Sequence, residues 1–270
     1  DSSAVQDQLK GVQQIQATAG AFAAILEDGS VVTWGNADFG GDSSAVRDQL
    51  RGVKQIQGTG FGAFAAILED GSVVTWGNAR YGGDSSAVRD QLKGVQQIQA
   101  TDCAFAAILE DGSVVTWGDA YGGGDSLGVQ NQLRGVQQIQ ATESAFAAIL
   151  ADGSVVTWGD AYCGGDSLAV QDQLKGVQQI QATNSAFAAI LEDGSVVTDR
   201  KTHCGGDSSA VRDQLKGVAQ IQATDCAFAA ILEDGSVVTW GNAEGGGDSS
   251  AVRDQLRLVY SSCVCQIGKA

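Results

Sequence analysis

The chain has 270 residues, of which 43% are hydrophobic, so it can bury a sizeable core and is not disordered. It has no run of about 18 apolar residues, which excludes a conventional membrane-spanning helix. Its 16 Lys and Arg against 32 Asp and Glu give a net charge of −16. This charge disfavours nucleic acid as a partner and makes a basic protein surface the natural complement.

The chain opens at Asp1 without an apolar secretory leader and contains no Met. These features predict a segment of a longer or processed product. The six Cys are few and irregularly spaced, so they do not form a disulfide framework. They leave the compartment open, with an intracellular one favoured.

An internal repeat dominates the sequence. The tripeptide Asp-Gly-Ser begins at Asp28, Asp70, Asp111, Asp152, Asp193 and Asp234, at spacings of 42 and then 41 residues. The segment Asp-Ser-[Ser/Leu] begins at Asp1, Asp42, Asp84, Asp125, Asp166, Asp207 and Asp248. The pattern predicts six full units and an additional copy of this second segment, which we call the outer segment.

The unit at residues 84–124 contains three predicted strands. Residues 95–101 (VQQIQAT) partly alternate, and residues 104–109 (AFAAIL) form an apolar run too short for a helix and suited to a buried strand. An Asp-Gly turn follows, which is typical of a hairpin. Residues 113–117 (SVVTW) are β-branched and aromatic, as expected of the returning strand.

The outer segment has two interpretations. Asp42-Ser43-Ser44 could cap a short helix that runs through Leu50 and stops at Gly52. The same residues could form the irregular outer strand of a blade, and the sequence leaves both open.

Neighbouring units must stack, because one hairpin cannot bury its apolar face alone. We therefore predict an all-β, tandem-repeat β-propeller of six or seven blades, with an open β-solenoid carrying short helices as the alternative. A single propeller is expected over residues 1–257. Residues 258–270 form a divergent tail that could pair with the N-terminal segment and latch the ring.

The repeat resembles that of the regulator of chromosome condensation family. The pattern V-x3-L-x2-V-x2-I, seen at Val46, Leu50, Val53 and Ile56, precedes a small-residue hairpin and then D-G-S-V-V-T-W-G. The resemblance covers the chain through Leu256 and implies a seven-bladed propeller. The family's small-Gly-x-x-His step is absent here, and the loop after Trp-Gly is short.

Three functions fit this sequence, and guanine-nucleotide exchange is the one that the resemblance to the family implies. We expect a non-catalytic protein-interaction scaffold, and therefore not an enzyme. The first alternative is guanine-nucleotide exchange on a small GTPase, and the second is the propeller segment of a larger protein such as a ubiquitin ligase. No cofactor is expected, because neither a phosphate-binding loop nor a calcium loop occurs.

Near-identical units reveal which positions vary. Variation falls in the first turn of each unit and in the loop after Trp-Gly, which should lie on the same rim of a propeller. A rim that differs from blade to blade and carries aromatic residues is typical of a recognition surface. The predicted partner-binding residues are Phe39, Phe61, Arg80, Tyr81, Asp102, Tyr121, Glu143, Tyr162, Asn184, Arg200, His203, Asp225 and Glu244.

Repeat five departs from the others, with Asp199-Arg200 in place of Trp-Gly, which puts a charge cluster and the single His on this rim. His203, Cys204 and Cys163 are the candidates for a metal site, but they fall short of a convergent ligand set. Sheets stacked about 10 Å apart should also keep Cys163 and Cys204 unbridged in a propeller.

Overall fold

The computed structural model describes residues 2, 3, 5–199 and 204–252. It contains six antiparallel sheets of three strands, one per repeat, each in simple sequence order. We call these sheets blades 1 to 6. The all-β propeller architecture is confirmed, and no described sheet contains strands of two blades.

Strand bounds repeat from blade to blade. The first strands are β1 (Val12–Ala17), β4 (Val53–Gly58), β7 (Val95–Ala100), β10 (Val136–Ala141), β13 (Val177–Ala182) and β16 (Val218–Ala223). The second strands are β2 (Ala21–Leu26), β5 (Ala63–Leu68), β8 (Ala104–Leu109), β11 (Ala145–Leu150), β14 (Phe187–Leu191) and β17 (Ala227–Leu232). The third strands are β3 (Val31–Gly35), β6 (Val73–Gly77), β9 (Val114–Gly118), β12 (Val155–Gly159), β15 (Val196–Thr198) and β18 (Val237–Gly241).

The Asp-Gly turns fix the hairpins between the second and third strands. In blade 3, Asp111 Oδ1 accepts hydrogen bonds from the Ser113 amide at 2.9 Å and the Ser113 hydroxyl at 2.6 Å. Gly112 adopts a left-handed φ of 74°, which a side chain would disfavour. The turn thereby sets the register that pairs Ile108 with Val114.

The outer segment is neither a helix of several turns nor a fourth strand in the part of the chain that the structure describes. In blade 2 it contains a single 3-10 turn, Arg47–Gln49, with no side-chain cap. Asp42 instead accepts a hydrogen bond from the Ser44 amide at 2.8 Å, before that turn begins. Ser43 bonds Thr33 at 3.0 Å and so ties the segment to β3.

Short helical turns complete the described structure. They lie at Gln6–Gln8, Ala37–Phe39, Arg47–Gln49, Ala79–Tyr81, Ala120–Gly124, Ala161–Cys163, Gln171–Gln173, Arg212–Gln214, Ala243–Gly247 and Ser250–Val252. In the described ranges, none of the helices has the length and apolar character that crossing a bilayer requires.

The core lies between blades. The Ala-Ala-Ile face of one blade, such as Ala63, Ala65 and Ile67, packs against larger apolar residues of the next, including Phe105 and Trp117. Small residues on one face and large ones on the other let adjacent sheets approach closely. The same arrangement recurs at all five interfaces, except that Asp199 stands in place of the Trp between blades 4 and 5.

Blades 1 and 6, at the two ends of the series, each expose an apolar face that is buried in the other blades. Ile15 is 52% exposed in blade 1, whereas the equivalent Ile98 is 2% exposed. At the other end Ile231 is 39% exposed, whereas Ile108 is 6% exposed. The described blades therefore form an arc with two complementary apolar ends. The predicted domain boundary at residue 257 and the latch by residues 258–270 lie outside the described residues and stay predictions.

Candidate functional site

The two variable loops of each blade lie side by side. In blade 3, Thr101 Oγ1 donates to the carbonyl of Gly122, in the loop after Trp-Gly, at 2.9 Å. The same oxygen accepts from the Ala104 amide at 3.0 Å, at the start of β8. Equivalent bonds are made by Thr18, Thr142, Thr183 and Thr224. This Thr joins both loops into one rim, which we call the variable rim.

Backbone hydrogen bonds connect the first turns of successive blades. The amide of Asp102 donates to the carbonyl of Glu143, that of Glu143 to Asn184, and that of Asn184 to Asp225, each at 2.9 Å. In blades 1 to 3, Ala19 bonds Gly60 and Phe61 bonds Asp102. Because the bonds use only main-chain atoms, the side chains at these positions can change without loosening the rim.

Three carboxylates surround an open cavity at the inner edge of this rim. The cavity has a volume of about 390 Å³ and is lined by Asp102, Glu143, Asn184 and Asp225, together with small residues and Thr. Burial raises the pKa of Asp102. The pKa of Glu143 is also raised, by burial first and then by the charges of Asp102 and Asp225. The mouth of the cavity is therefore an electronegative site that lacks a compensating cation among the described residues lining it.

Aromatic side chains stand outside this acidic mouth. Tyr121 and Tyr162 are 83% and 79% exposed. Phe61, which is half exposed, packs against Tyr81 with ring centroids 5.2 Å apart. Such exposed aromatic rings can contact a partner with little loss of conformational freedom.

Arg80 connects the loop after Trp-Gly of blade 2 with that of blade 3. Its guanidinium carbon lies 5.5 Å from the Tyr81 ring centroid, and its Nε bonds Asp119 Oδ2 at 3.1 Å. The hydrogen bond with Asp119 raises the pKa of Arg80, which keeps its charge at every working pH. This pair holds the post-Trp loops of blades 2 and 3 together.

The other predicted rim residues have mixed placements. Glu244 is exposed, whereas Phe39 is partly buried and packs with the core between blades 1 and 2. Phe39 therefore fills space between two turns and offers little surface to a partner. Arg200 and His203 lie outside the described residues.

The prediction that repeat five places its charges on the rim is wrong for Asp199. Asp199 is 6% exposed and occupies the interior position that Trp holds in the other repeats. A cavity of about 20 Å³, lined in part by Phe187 and Val197, adjoins it. Asp is smaller than Trp, and the neighbouring repeats hold the blades at the spacing that Trp requires. A space therefore remains beside Asp199.

Within the described ranges, no group of three or more His, Cys, Asp or Glu residues could hold a metal ion. Cys163 and Cys204 are both free. The expected separation of about 10 Å between blades does not apply at the rim, because the blades converge there. Cys204 Sγ lies 2.7 Å from Sγ of Cys226 in the next blade, a proximity that the sequence analysis missed.

Two exposed leucines were also missed. Leu127 and Leu168 are 80% and 82% exposed and lie in the outer segments after blades 3 and 4. The other outer segments have Ser at this position, so the departure from the repeat could have identified them. They belong to the outer segments and not to the loops that form the variable rim.

No protein-family model and no curated protein matches this sequence. Solved structures do match its fold. Yeast RCC1 (Prp20), in a structure bound to Kap60, aligns with a TM-score of 0.51 and 16% identity over 89% of this chain and 72% of its own. Human WBSCR16 aligns with a TM-score of 0.53 and 18% identity over 85% and 77% of the two chains.

A second structure of Prp20p from Saccharomyces cerevisiae gives a TM-score of 0.51 and 15% identity over 89% of this chain and 74% of that one. That structure was reported together with the binding properties of Prp20p to Gsp1p and histones. The class of protein defined by the fold is thus a repeat β-propeller. More narrowly, the chain has the fold of the RCC1-like propellers, as the repeat pattern predicted.

Proposed function

We propose that this chain is a protein-binding module whose variable rim takes a basic segment of another protein. The observation that carries the proposal is the convergence of Asp102, Glu143 and Asp225 around one open cavity. Burial, and then the charges of Asp102 and Asp225, raise the pKa of Glu143, and a Lys or Arg side chain entering this cavity would offset that repulsion.

The surroundings support this mode of binding. Tyr121 and Tyr162 are exposed rings of the loops after Trp-Gly on the variable rim and can pack on the alkyl part of a basic side chain or against its charge. The main-chain bonds between the turns preorganise the carboxylates, which lowers the entropic cost of association. Among proteins of the same fold, the yeast propeller reported to bind histones shows that such a scaffold can serve protein recognition.

The test compares charge removal on the two rims. In the mouth variant, D102N, E143Q and D225N are combined. In the matched control, E110Q, E192Q and E233Q remove three charges beside the Asp-Gly turns on the opposite rim. Both variants have a net charge of −16 + 3 = −13, so they differ only in where the charge is lost.

Binding is measured by fluorescence anisotropy with a labelled Lys-rich peptide at 20 and 150 mM salt. The mouth variant should bind at least about tenfold more weakly, and the control within about twofold of the parent chain. Equal loss in both variants would mean that the peptide responds only to net charge, and the proposal would fail. A variant with Tyr121 and Tyr162 changed to Ser should bind more weakly than the parent chain, and by the same factor at both salt concentrations.

Guanine-nucleotide exchange on a small GTPase is a second candidate, favoured by the fold shared with yeast RCC1. It makes a separate prediction, namely faster release of a fluorescent guanine nucleotide from a small GTPase when the chain is added. Acceleration that the mouth variant abolishes would assign exchange to the same rim. Peptide binding without acceleration would leave the chain as a non-catalytic scaffold.

A further inference from the structure

Two thiols of adjacent blades meet at the inner side of the variable rim. Cys204 lies in the loop that follows β15 of blade 5, and Cys226 lies in the first turn of blade 6. Their Sγ atoms are 2.7 Å apart, both side chains are partly exposed, and both residues are free. We propose that Cys204 and Cys226 form a reversible disulfide that ties blade 5 to blade 6.

The backbone holds both residues in place without the bridge. The carbonyl of Cys204 accepts a hydrogen bond from Thr183 Oγ1 at 2.9 Å, the bond that fixes the same loop in other blades. On the other side, the carbonyl of Asp225 accepts from the Asn184 amide at 2.9 Å. The two thiols therefore approach through contacts that the whole repeat shares, and forming the bond requires little rearrangement.

The repeats supply internal comparisons for this pair. At the first interface the loop residue Phe39 likewise contacts the turn residue Gly62 of the next blade. At the equivalent sequence positions the other interfaces carry Tyr81 with Cys103, Gly122 with Ser144, and Cys163 with Ser185. Cys occupies both positions only between blades 5 and 6. The interface with Gly122 and Ser144 has no thiol at these positions, and the interface with Cys163 and Ser185 has one.

The reaction is an exchange with a small-molecule disulfide such as oxidised glutathione. One protein thiolate attacks the disulfide, forms a mixed disulfide and releases one glutathione thiolate. The second protein thiol loses its proton and attacks the protein sulfur of that mixed disulfide, which releases the second glutathione. The two Cys thus lose two protons and two electrons, and the glutathione disulfide is reduced to two thiols.

The thiol of Cys226 is held in its protonated form at neutral pH. The hydrogen bond with Cys204 raises its pKa to about 11, with burial and then the charges of Cys204, Asp225 and Glu143 adding to the effect. The bridge forms whichever thiol attacks first, because the two sulfur atoms already lie in contact.

A bridge here closes a loop of 22 residues. By restricting the unfolded chain it should raise the Tm of the oxidised protein by roughly 5–10 °C above that of the reduced protein. It would also fix the spacing of Asn184 and Asp225 at the rim. The inference does not depend on the proposed function, because bond formation is measured without a partner.

The test uses the full chain equilibrated in glutathione buffers of increasing oxidised fraction, quenched with acid and digested with trypsin without reduction. Cys204 lies in the peptide 202–212 and Cys226 in the peptide 217–253, and each peptide contains one Cys. The expected product is these two peptides joined, with a mass about 2 Da below their sum. It should disappear on addition of dithiothreitol.

Three variants sharpen the result. C226S should abolish the joined peptide and the rise in Tm, whereas C103S should leave both unchanged. S185C places a second thiol at the position equivalent to Cys226, so it should produce a second bridge, between peptides 135–175 and 176–200, at a similar glutathione ratio. Finding no joined peptide at any ratio, or finding Cys204 joined to a Cys other than Cys226, would overturn the proposal.

Discussion

The indole N–H of Trp158 donates a hydrogen bond to the carbonyl oxygen of Gly123 in the preceding blade, at 3.0 Å. The ring of Trp158 also stacks on Phe146 of its own blade, with centroids 5.2 Å apart. The same bond between blades is made by Trp76, Trp117 and Trp240. This Trp therefore fixes the distance between neighbouring blades at the rim, and position 199 is the place where the series is interrupted.

Asp199→Trp should stabilise the protein. The indole would occupy the interior position of Asp199 and the cavity of about 20 Å³ beside it, stack on Phe187 and reach the carbonyl of Gly164 as Trp158 reaches Gly123. Removing a buried carboxyl and burying an aromatic ring should raise the free energy of unfolding by about 2–4 kcal/mol. Thermal unfolding followed by circular dichroism measures the change. The converse variant, Trp158→Asp, should lose about 3–5 kcal/mol, and a neutral D199W would show that blade 5 has relaxed around Asp199.

One substitution at two equivalent positions measures how open the arc is. Ile98→Ala removes a side chain that is 2% exposed and should cost about 2–5 kcal/mol. Ile15→Ala removes a side chain that is 52% exposed and should cost less than about 1 kcal/mol. Urea unfolding of both variants provides the comparison. Equal losses would mean that blade 1 is covered in solution, and the face containing Ile15 would then be an interface.

The Thr that joins the two variable loops gives a similar matched pair. Thr101→Val leaves the Gly122 carbonyl and the Ala104 amide without their side-chain partner in a buried setting, so it should cost about 1–3 kcal/mol. Thr224 makes the same bonds but is exposed, and Thr224→Val should cost less than about 1 kcal/mol because water replaces them. Denaturant midpoints test both values. A larger loss at Thr224 would contradict the role given to burial.

The sequence predicted much of the fold because its signals are local. The Asp-Gly turn at Asp111 and the apolar run that became β8 each specify a hairpin within about 15 residues, and the six copies reinforce this prediction. The outer segment was ambiguous because its Asp-Ser-Ser cluster satisfies backbone groups equally in a turn or a cap. It adopts an isolated 3-10 turn because its contacts are with β3 of the previous blade, which a local pattern does not encode.

The candidate site was predicted less completely, for a geometric reason. Comparison of the repeats identified Asp102, Glu143 and Asp225 as variable, but not that they converge on one cavity. Convergence depends on how blades tilt towards the axis, and this is set by packing between blades. The same tilt brings Cys204 to Cys226, a pair that the sequence analysis did not consider.

The carboxylates of the mouth should make stability depend on pH in a defined direction. The folded pKa values of Asp102 and Glu143 are raised above their ordinary values, so folding favours the protonated forms. Their contribution is favourable below the unfolded pKa and is lost as the pH rises through the folded pKa. At pH 7 the raised pKa values of Asp102 and Glu143 therefore correspond to a loss of folding stability relative to acidic pH.

Asp102→Asn and Glu143→Gln should accordingly raise the Tm at pH 7 and have little effect near pH 3, where the carboxyls of the parent chain are already neutral. Asp102 should give the larger gain, because Glu143 is exposed and more of its charge is screened by solvent. Asp111→Asn is the control of opposite sign, because its hydrogen bonds with Ser113 lower the pKa of Asp111. Calorimetric scans from pH 3 to pH 8 distinguish these cases. A gain for Asp102→Asn that persists at pH 3 would show that a hydrogen bond donated by the new amide, and not the loss of charge, stabilises the variant.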